Sequence, residues 1–303
     1  MDTKNLTTFV AFAKEGSYTR VSMKLNYAVS TLTEHIAALE TELGAKLVES
    51  HGKRTRLTRN GEAFLPYAKR ILAEYHEACS RMACMSSVSG PLRVLTSESL
   101  GLYRMAPVLA DFARAYPEVE LSITLEQPTG PFEKLRSREG DVYFCFGLHM
   151  LESQEFTARR IFQEPLAFFT YPQHRLAGRE AVYPRDFQGE RFILPSKDCF
   201  YRDAIQDCLR RDGVDLQIKL SLDSSSLIKQ YVKRRHGVSA LPLSVVQEDI
   251  EQGELTRLNW RGEAFESVAQ AITLKKDWVP PSIQALLDYA ARGANQPRSD
   301  SGT

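Results

Sequence analysis

The sequence predicts a chain in two parts: an all-α amino-terminal unit with a small hairpin and one long helix, joined to an α/β unit. Three observations carry this. Two short amphipathic segments around a tight turn occupy Ser17 to Leu43. A seven-residue apolar repeat runs from Phe64 to Met85. Beyond a run of small residues at 86–91, strand-like and helical stretches take turns. At 303 residues the chain holds roughly two to three folding units of about 100–200 residues each.

In chain order, Leu6, Phe9, Val10 and Ala13 share one face of a first helix that packs beneath the helix pair. Tyr18, Val21, Ser22 and Leu25 form a short second helix with Ser17 as its N-cap. In the third, Leu32, Ile36, Leu39 and Leu43 recur at spacings of four, three and four, a single buried stripe. Val29, Ser30, Thr33, Glu34 and Ala37 lie on the opposite face, the first four clustered at the end where a recognition helix meets base edges. An ordinary packed helix pair has the same periodicity, so the context must decide between the two.

Gly44 ends the third helix. Leu47 to Thr58 alternates about a turn at His51-Gly52 and predicts a hairpin wing. Thr58 caps a helix from Arg59 to about Ser87, roughly 40 Å long at 1.5 Å per residue. On it Phe64, Ala68, Ile71, Tyr75, Ala78, Met82 and Met85 alternate spacings of four and three. A seam that long is buried either against the same helix of a second subunit or against the following domain. Pro66 removes one backbone bond and places a bend there.

In the α/β unit, strand-like Leu92–Thr96 precedes helical Leu102–Ala115, Glu120–Leu125 precedes Phe132–Arg138, and Asp141–Phe146 follows. A second set runs through Leu166–Tyr171, Arg191–Leu194, Tyr201–Asp212, Gln217–Leu222, Leu227–Arg235, Val238–Leu241 and Ser244–Gln252. Ser267–Leu274 and a helix over Ser282–Ala291 finish it. The alternation predicts a mostly parallel sheet covered on both faces, and residues 294–303 read as a disordered tail.

Composition narrows the function. The net charge of +1 argues against a nonspecific polycation, but residues 1–90 hold 12 Lys+Arg against 9 Asp+Glu and the remainder 27 against 29. The excess gathers at Lys53, Arg54 and Arg56, with Arg59, Lys69 and Arg70 following, either a phosphate-contacting wing or a solvated basic loop. No apolar run reaches the roughly 18 residues of a membrane span, and the start lacks a signal-peptide core, so a cytoplasmic protein is expected. Five scattered cysteines make no secreted disulfide framework.

The segment from Lys4 to Leu72 resembles the amino-terminal domain of LysR-type transcriptional regulators at Phe9, Gly16-Ser17, Leu25, Ile36, Leu39-Glu40, Leu43-Gly44, Leu47, Arg56-Leu57-Thr58, Gly61 and Pro66-Tyr67-Ala68. Ala106-Pro107, Phe112, Tyr116-Pro117, Gly140-Asp141, His174-Arg175-Leu176-Ala177 and Gly237 to Pro242 extend the resemblance over about residues 4–291. It implies a winged helix-turn-helix domain (1–58), a dimerisation helix (59–87), and a two-lobed, periplasmic-binding-protein-like effector domain (88–293). Its lobes would be about 91–161 with 266–293, and about 162–265. The partners implied are double-stranded promoter DNA, a small effector and further copies of the chain as a homodimer or homotetramer.

On this resemblance the residues meeting DNA are Ser17, Tyr18, Thr19 and Arg20; Ala28, Val29, Ser30, Thr31, Thr33, Glu34 and His35; and Lys53, Arg54 and Arg56 of the wing. Ala28-Val29 stands where the family usually has serine and glutamine, so an N-cap and a base-reading amide are missing, although Val29 suits a thymine methyl. Glu34 occupies an often basic position, and Arg234-Arg235-His236 replaces small residues before Gly237.

Open α/β sheets bind ligands beyond the carboxyl ends of strands, where helix N-termini face anions. The segments in those places contribute Ser97, Glu98, Ser99, Thr129, Ser196, Cys199, Phe200, Tyr201, Arg202 and Ser224, with Gln127 and Asp223 to Ser226 beside them. Hydroxyl-rich loops that merely cap helices share this composition. The resemblance implies convergence on one interlobe cleft holding a small anionic effector, with Arg202 as the group to grip its carboxylate. Cys199 and Cys208 are also spaced similarly to the pair of the family's peroxide-sensing branch. Nine residues apart on one helix, they would need remodelling to bridge.

Nothing in the sequence points to catalysis. There is no G-x-S-x-G, Walker loop, dinucleotide fingerprint or H-E-x-x-H, and Ser226 to Lys229 matches S-x-x-K without its companion motifs. The six histidines are isolated from one another and from the cysteines, so neither metal nor cofactor is expected. A solute-binding protein would share the second half but have no use for residues 1–87.

Overall fold

The computed structural model describes residues 1–51, 54–83, 88–127, 130–196, 199–276 and 278–293. The chain divides into two units, Met1–Ser87 with Arg136–Glu139, and Val88–Leu135 with Gly140–Thr303. None of the described helices is long and apolar enough to cross a membrane.

The first unit begins with helices α1 (Thr3–Glu15), α2 (Tyr18–Leu25) and α3 (Val29–Leu43). Leu6, Phe9 and Phe12 of α1 meet Val21 of α2 and Leu32, Ile36 and Leu39 of α3 in two adjoining cores that also take in Leu47, Ala68 and Leu72. Phe12 joins this core beside the anticipated Val10, which packs half-buried against it, while Ala13 is half-buried. Leu43 is a second departure: it is exposed, and Glu40, one turn earlier, is buried. Gly44 ends α3 at φ +63°, where a glycine meets no side-chain penalty.

Strands β1 (Val48–His51) and β2 (Arg54–Leu57) form the wing, with Val48 opposite Leu57 and His51 opposite Arg54. The turn at 52–53 lies outside the described residues. Helix α4 (Arg59–Ala83) follows, capped by Thr58 Oγ1, which accepts from Gly61 N at 3.0 Å and donates to Lys46 O at 2.6 Å. A Cβ on Gly61 would lie 2.1 Å from Leu47 O, so only glycine lets α4 pass the wing this closely. Of the apolar repeat on α4, Ala68 is buried and Phe64 half-buried, while Ile71, Tyr75, Ala78 and Met82 are exposed. Met85 and residues 86–87 lie outside the described residues.

The second unit contains β3 (Gly90–Thr96), α5 (Glu98–Leu100), a π-helical turn at 101–105 running into α6 (Ala106–Ala115), β4 (Val119–Leu125), α7 (Pro131–Arg136), β5 (Val142–Gly147) and β6 (Phe156–Thr170). It continues with β7 (Arg191–Pro195), α8 (Phe200–Arg211), β8 (Gln217–Leu222), α9 (Ser225–Lys233), β9 (Ser239–Pro242), α10 (Leu243–Glu251), β10 (Thr256–Arg257), β11 (Glu266–Leu274) and α11 (Pro281–Gly293). One sheet runs β10-β6-β11-β5-β3-β4, with β9 also on β6, and β7 pairs with β8.

The sheet is mixed, where the alternation predicted a mostly parallel one. β3 is parallel to β4 and to β5, but β11 is antiparallel to β5 and β6, and β6 is antiparallel to β9 and β10. The two long strands β6 and β11 cause this: they lie side by side and join two separate cores. Residues between Leu92 and Phe162 with Ala269 to Ala290 build the first core, including α6 and α11, and Leu95, Leu135, Tyr143, Cys145, Phe156 and Ile272 form a smaller cluster in the same lobe. Residues between Leu166 and Phe265, including α8, α9 and α10, build the second. The result is a two-lobed α/β domain. Gly237 joins β9 to the second lobe at φ +140°, and a Cβ there would meet Arg191 O at 2.1 Å.

Candidate functional site

Two surfaces are candidates for function, one on each unit. On the first, Val29, Ser30, Thr33, Glu34 and Ala37 of α3 are all exposed, opposite the stripe buried in the core. Val29 is 44% exposed, unusual for a β-branched apolar residue with nothing covering it. Ala28 is the N-cap of α3 and supplies no side-chain bond, as its residue type dictates. Thr33 Oγ1 donates to Val29 O at 2.9 Å. Arg56 is exposed on the wing with Nε 2.8 Å from Glu49 Oε1.

Two other residues anticipated on this surface, Tyr18 and His35, have packing roles. The Tyr18 ring lies 4.6 Å from that of Phe12. His35 Nδ1 is 2.8 Å from Thr8 Oγ1, and its ring meets Tyr27 edge-on. Ser17 and Thr31 are half-buried, while Thr19, Arg20 and Ala28 are exposed. Lys53 and the Arg54 side chain lie outside what is described.

Glu40, whose type suggests the surface, ties this helix to the wing. Its Oε1 accepts from Leu47 N at 2.8 Å and Val48 N at 3.1 Å, and its Oε2 receives Lys46 Nζ at 2.6 Å. Burial pushes its pKa up, but the Lys46 bond and the two backbone N–H groups outweigh this and hold the carboxyl below its usual range.

On the second unit, a cavity of about 80 Å³ opens between the lobes. From the first lobe come Ser97, Glu98 and Ser99 after β3, Glu126 and Gln127 after β4, and Tyr143, Cys145 and Phe146 of β5. From the second come Pro195, Ser196, Cys199, Phe200 and Tyr201 around the start of α8, with Leu222, Asp223, Ser225, Ile228 and Leu241. Glu98 crosses the gap: Oε1 accepts from Ser224 Oγ at 2.9 Å, and Oε2 from Ser225 N at 2.7 Å and Ser225 Oγ at 2.9 Å. Glu126 is ion-paired with Lys134.

Arg202 is not among the lining residues. It is buried, but its Nη1 donates to Pro195 O and Ser221 Oγ, each at 2.7 Å, and its Nε to Gln206 Oε1 at 3.3 Å. It fastens the first turn of α8 to the ends of β7 and β8, so the expected carboxylate clamp is a structural brace. Ser224 serves as the N-cap of α9, and Thr129 lies outside the described residues.

The thiols of Cys145, Cys199 and Cys208 are unactivated. Burial raises Cys199 to about 11 and Cys145 to about 12, and it also raises Cys208. Cys199 caps α8 and Cys208 lies in its interior, about 13 Å apart along the axis at 1.5 Å per residue. That span forbids a disulfide in this conformation.

Two family models match the chain. The bacterial regulatory helix-turn-helix protein, lysR family, covers residues 3–62, and the LysR substrate binding domain covers residues 86–295. The chain belongs to the LysR family. The uncharacterized HTH-type transcriptional regulator YwqM of Bacillus subtilis (strain 168) is 30% identical over 296 residues, 96% of this chain and 99% of that protein. GltR of the same organism, an HTH-type transcriptional regulator, is 27% identical over 95% and 96%. Among solved structures, a full-length OxyR variant from Pseudomonas aeruginosa matches with a TM-score of 0.75 at 19% identity, covering 99% of each chain. CbnR complexed with its target DNA matches with a TM-score of 0.70 at 21% identity, over 97% and 100%.

This LysR-type protein is thus a DNA-binding transcriptional regulator with an effector-binding domain, and the names of its relatives are those of regulators, not enzymes. Within its cavity the sequence missed Tyr143 and Cys145. They alternate with Phe144 on β5, yet all six β5 residues are buried, so the apolar run gave no sign of which face meets the cavity.

Proposed function

We propose that this regulator works in the cytoplasm as a homodimer or homotetramer, laying the amino-terminal face of α3 in the major groove of promoter DNA while the wing follows the phosphates. The uncovered face of α3 carries this reading: five exposed residues stand opposite a stripe buried in the core, and the leading ones are small or methyl-bearing groups suited to base edges. Arg56 supplies a sequence-blind phosphate contact.

The exposed seam on α4 supports self-association. Ile71 is 40%, Tyr75 48% and Met82 83% exposed at heptad positions, apolar surface that a second copy of the helix would cover. Pairing sets two α3 helices at half-sites about 34 Å apart, one DNA turn. A small effector in the interlobe cavity then alters how the assembly holds DNA.

Fluorescence anisotropy and footprinting on the adjacent intergenic region test the core of this. A strong preference for that region over a scrambled duplex at low ionic strength is the expected result. Equal hold on both would sink it.

A further inference from the structure

The amino terminus of α9 opens on the interlobe cavity, the place where free N–H groups would receive an anion. Two of them are already occupied, Ser225 N and Leu227 N. Glu98, carried on the opposite lobe, takes Ser225 N, Ser225 Oγ and Ser224 Oγ, the three donors that a ligand carboxylate would use. Ser224 Oγ in turn accepts from Leu227 N at 3.2 Å, so the carboxylate is built into the cap of the helix. Glu126 and Asp223 line the same space, and no Lys, Arg or His appears among its described lining residues.

The wall also offers groups that call for a ligand. Ser97 Oγ has no hydrogen-bond partner among the described residues, and the hydroxyl of Tyr143, a fully buried residue, has only the weakly bonding thiol of Cys145 beside it. Burying such atoms unpaired is costly, and a bound polar molecule relieves the cost.

We infer that Glu98 is a tethered anion filling the cavity's anion position, so that the site turns away free carboxylates and takes a small uncharged or cationic molecule meeting Tyr143 and Ser97. The regulatory meaning rests on the proposed role of the cavity as the effector site; the binding chemistry does not.

Calorimetry and thermal unfolding of the full chain decide it, with sodium acetate as probe and acetamide and sodium chloride at matched strength as controls. Glu98→Ala and Glu98→Ser are both made, so that one failing to fold leaves the other to compare. The wild type should show no saturable acetate binding. The variants should bind acetate roughly tenfold or more tighter than wild type, as charge-assisted bonds are regained, while removing Glu98 should not tighten the binding of uncharged acetamide in the same way. Wild type binding acetate as tightly as the variants, or variants gaining nothing, overturns the inference. Acetate bound by a variant with its promoter affinity unchanged supports the tethered anion and removes only the effector role of the cavity.

Discussion

Glu40 Oε1 accepts the backbone N–H of Leu47 at 2.8 Å, so the carboxylate of one buried residue locks α3 to the chain entering the first strand of the wing. Replacing it by alanine leaves the Leu47 and Val48 donors unsatisfied. Glu40→Ala should lower stability by about 2–3 kcal/mol, read from urea unfolding. Because its native pKa is depressed from 4.5, the bond contributes fully above that value and is lost as pH falls through the lower native value. The gap between wild type and Glu40→Ala should therefore close in acid.

On the exposed face of α3, Val29→Ala should weaken specific DNA binding by about 1 kcal/mol and relax sequence preference at one base pair, with the unfolding midpoint unmoved. Arg56→Ala should weaken binding to all duplexes alike and reduce the salt slope by about 1. Anisotropy titrations over a salt series distinguish the two patterns.

Charge on the α4 seam should prevent assembly. Ile71→Asp combined with Met82→Asp places carboxylates on exposed positions, so folding should survive while sedimentation velocity shows monomers. An unchanged oligomer would place the subunit contact elsewhere.

Arg202→Ala removes the brace between α8 and the ends of β7 and β8. We expect a loss of about 2–4 kcal/mol, because Pro195 O and Ser221 Oγ lose a buried charged donor. Arg202→Lys should recover only part of it, since one ammonium cannot reproduce the planar fork. Denaturant titration checks both.

Native thiol labelling should reach exposed Cys79 before Cys145, Cys199 or Cys208. With a pKa of about 11, Cys199 is thiolate for only roughly one part in ten thousand at pH 7. Peptide mapping after mild peroxide should recover Cys199 and Cys208 as thiols, with no bridge between them.

How far the sequence could be read depends on range. The α2–α3 pair, the Thr58 cap and the wing were legible because periodicity, caps and turns act over a few residues. Glu40 and Leu43 exchanged places because charge gave no hint that Leu47 and Val48 would present two donors to a buried carboxylate. The first two thirds of β6 carry no strand signal: residues 156–165 include two adjacent arginines and a proline, and they become a strand only by pairing with β11, about a hundred residues later. The same non-local pairing explains the mixed sheet. In the cavity, Ser97 to Ser99 and the start of α8 followed from strand ends. Arg202 was misjudged because its chemistry suits a carboxylate equally well whether it faces solvent or a carbonyl of its own chain.

The ladder between β6 and β11 has one irregularity: Ala269 faces Phe162 and Gln270 faces Arg160, leaving Ile161 without an opposite number. An extra residue of this kind bends its strand and steepens the local twist. Both crossings between the lobes share that ladder, so relative motion of the lobes has to be absorbed as torsion of a bonded ribbon and not as the slackening of loops. The sensor is sprung at its spine, and amide protons around Ile161 should exchange slowly even while those at the cavity rim exchange fast.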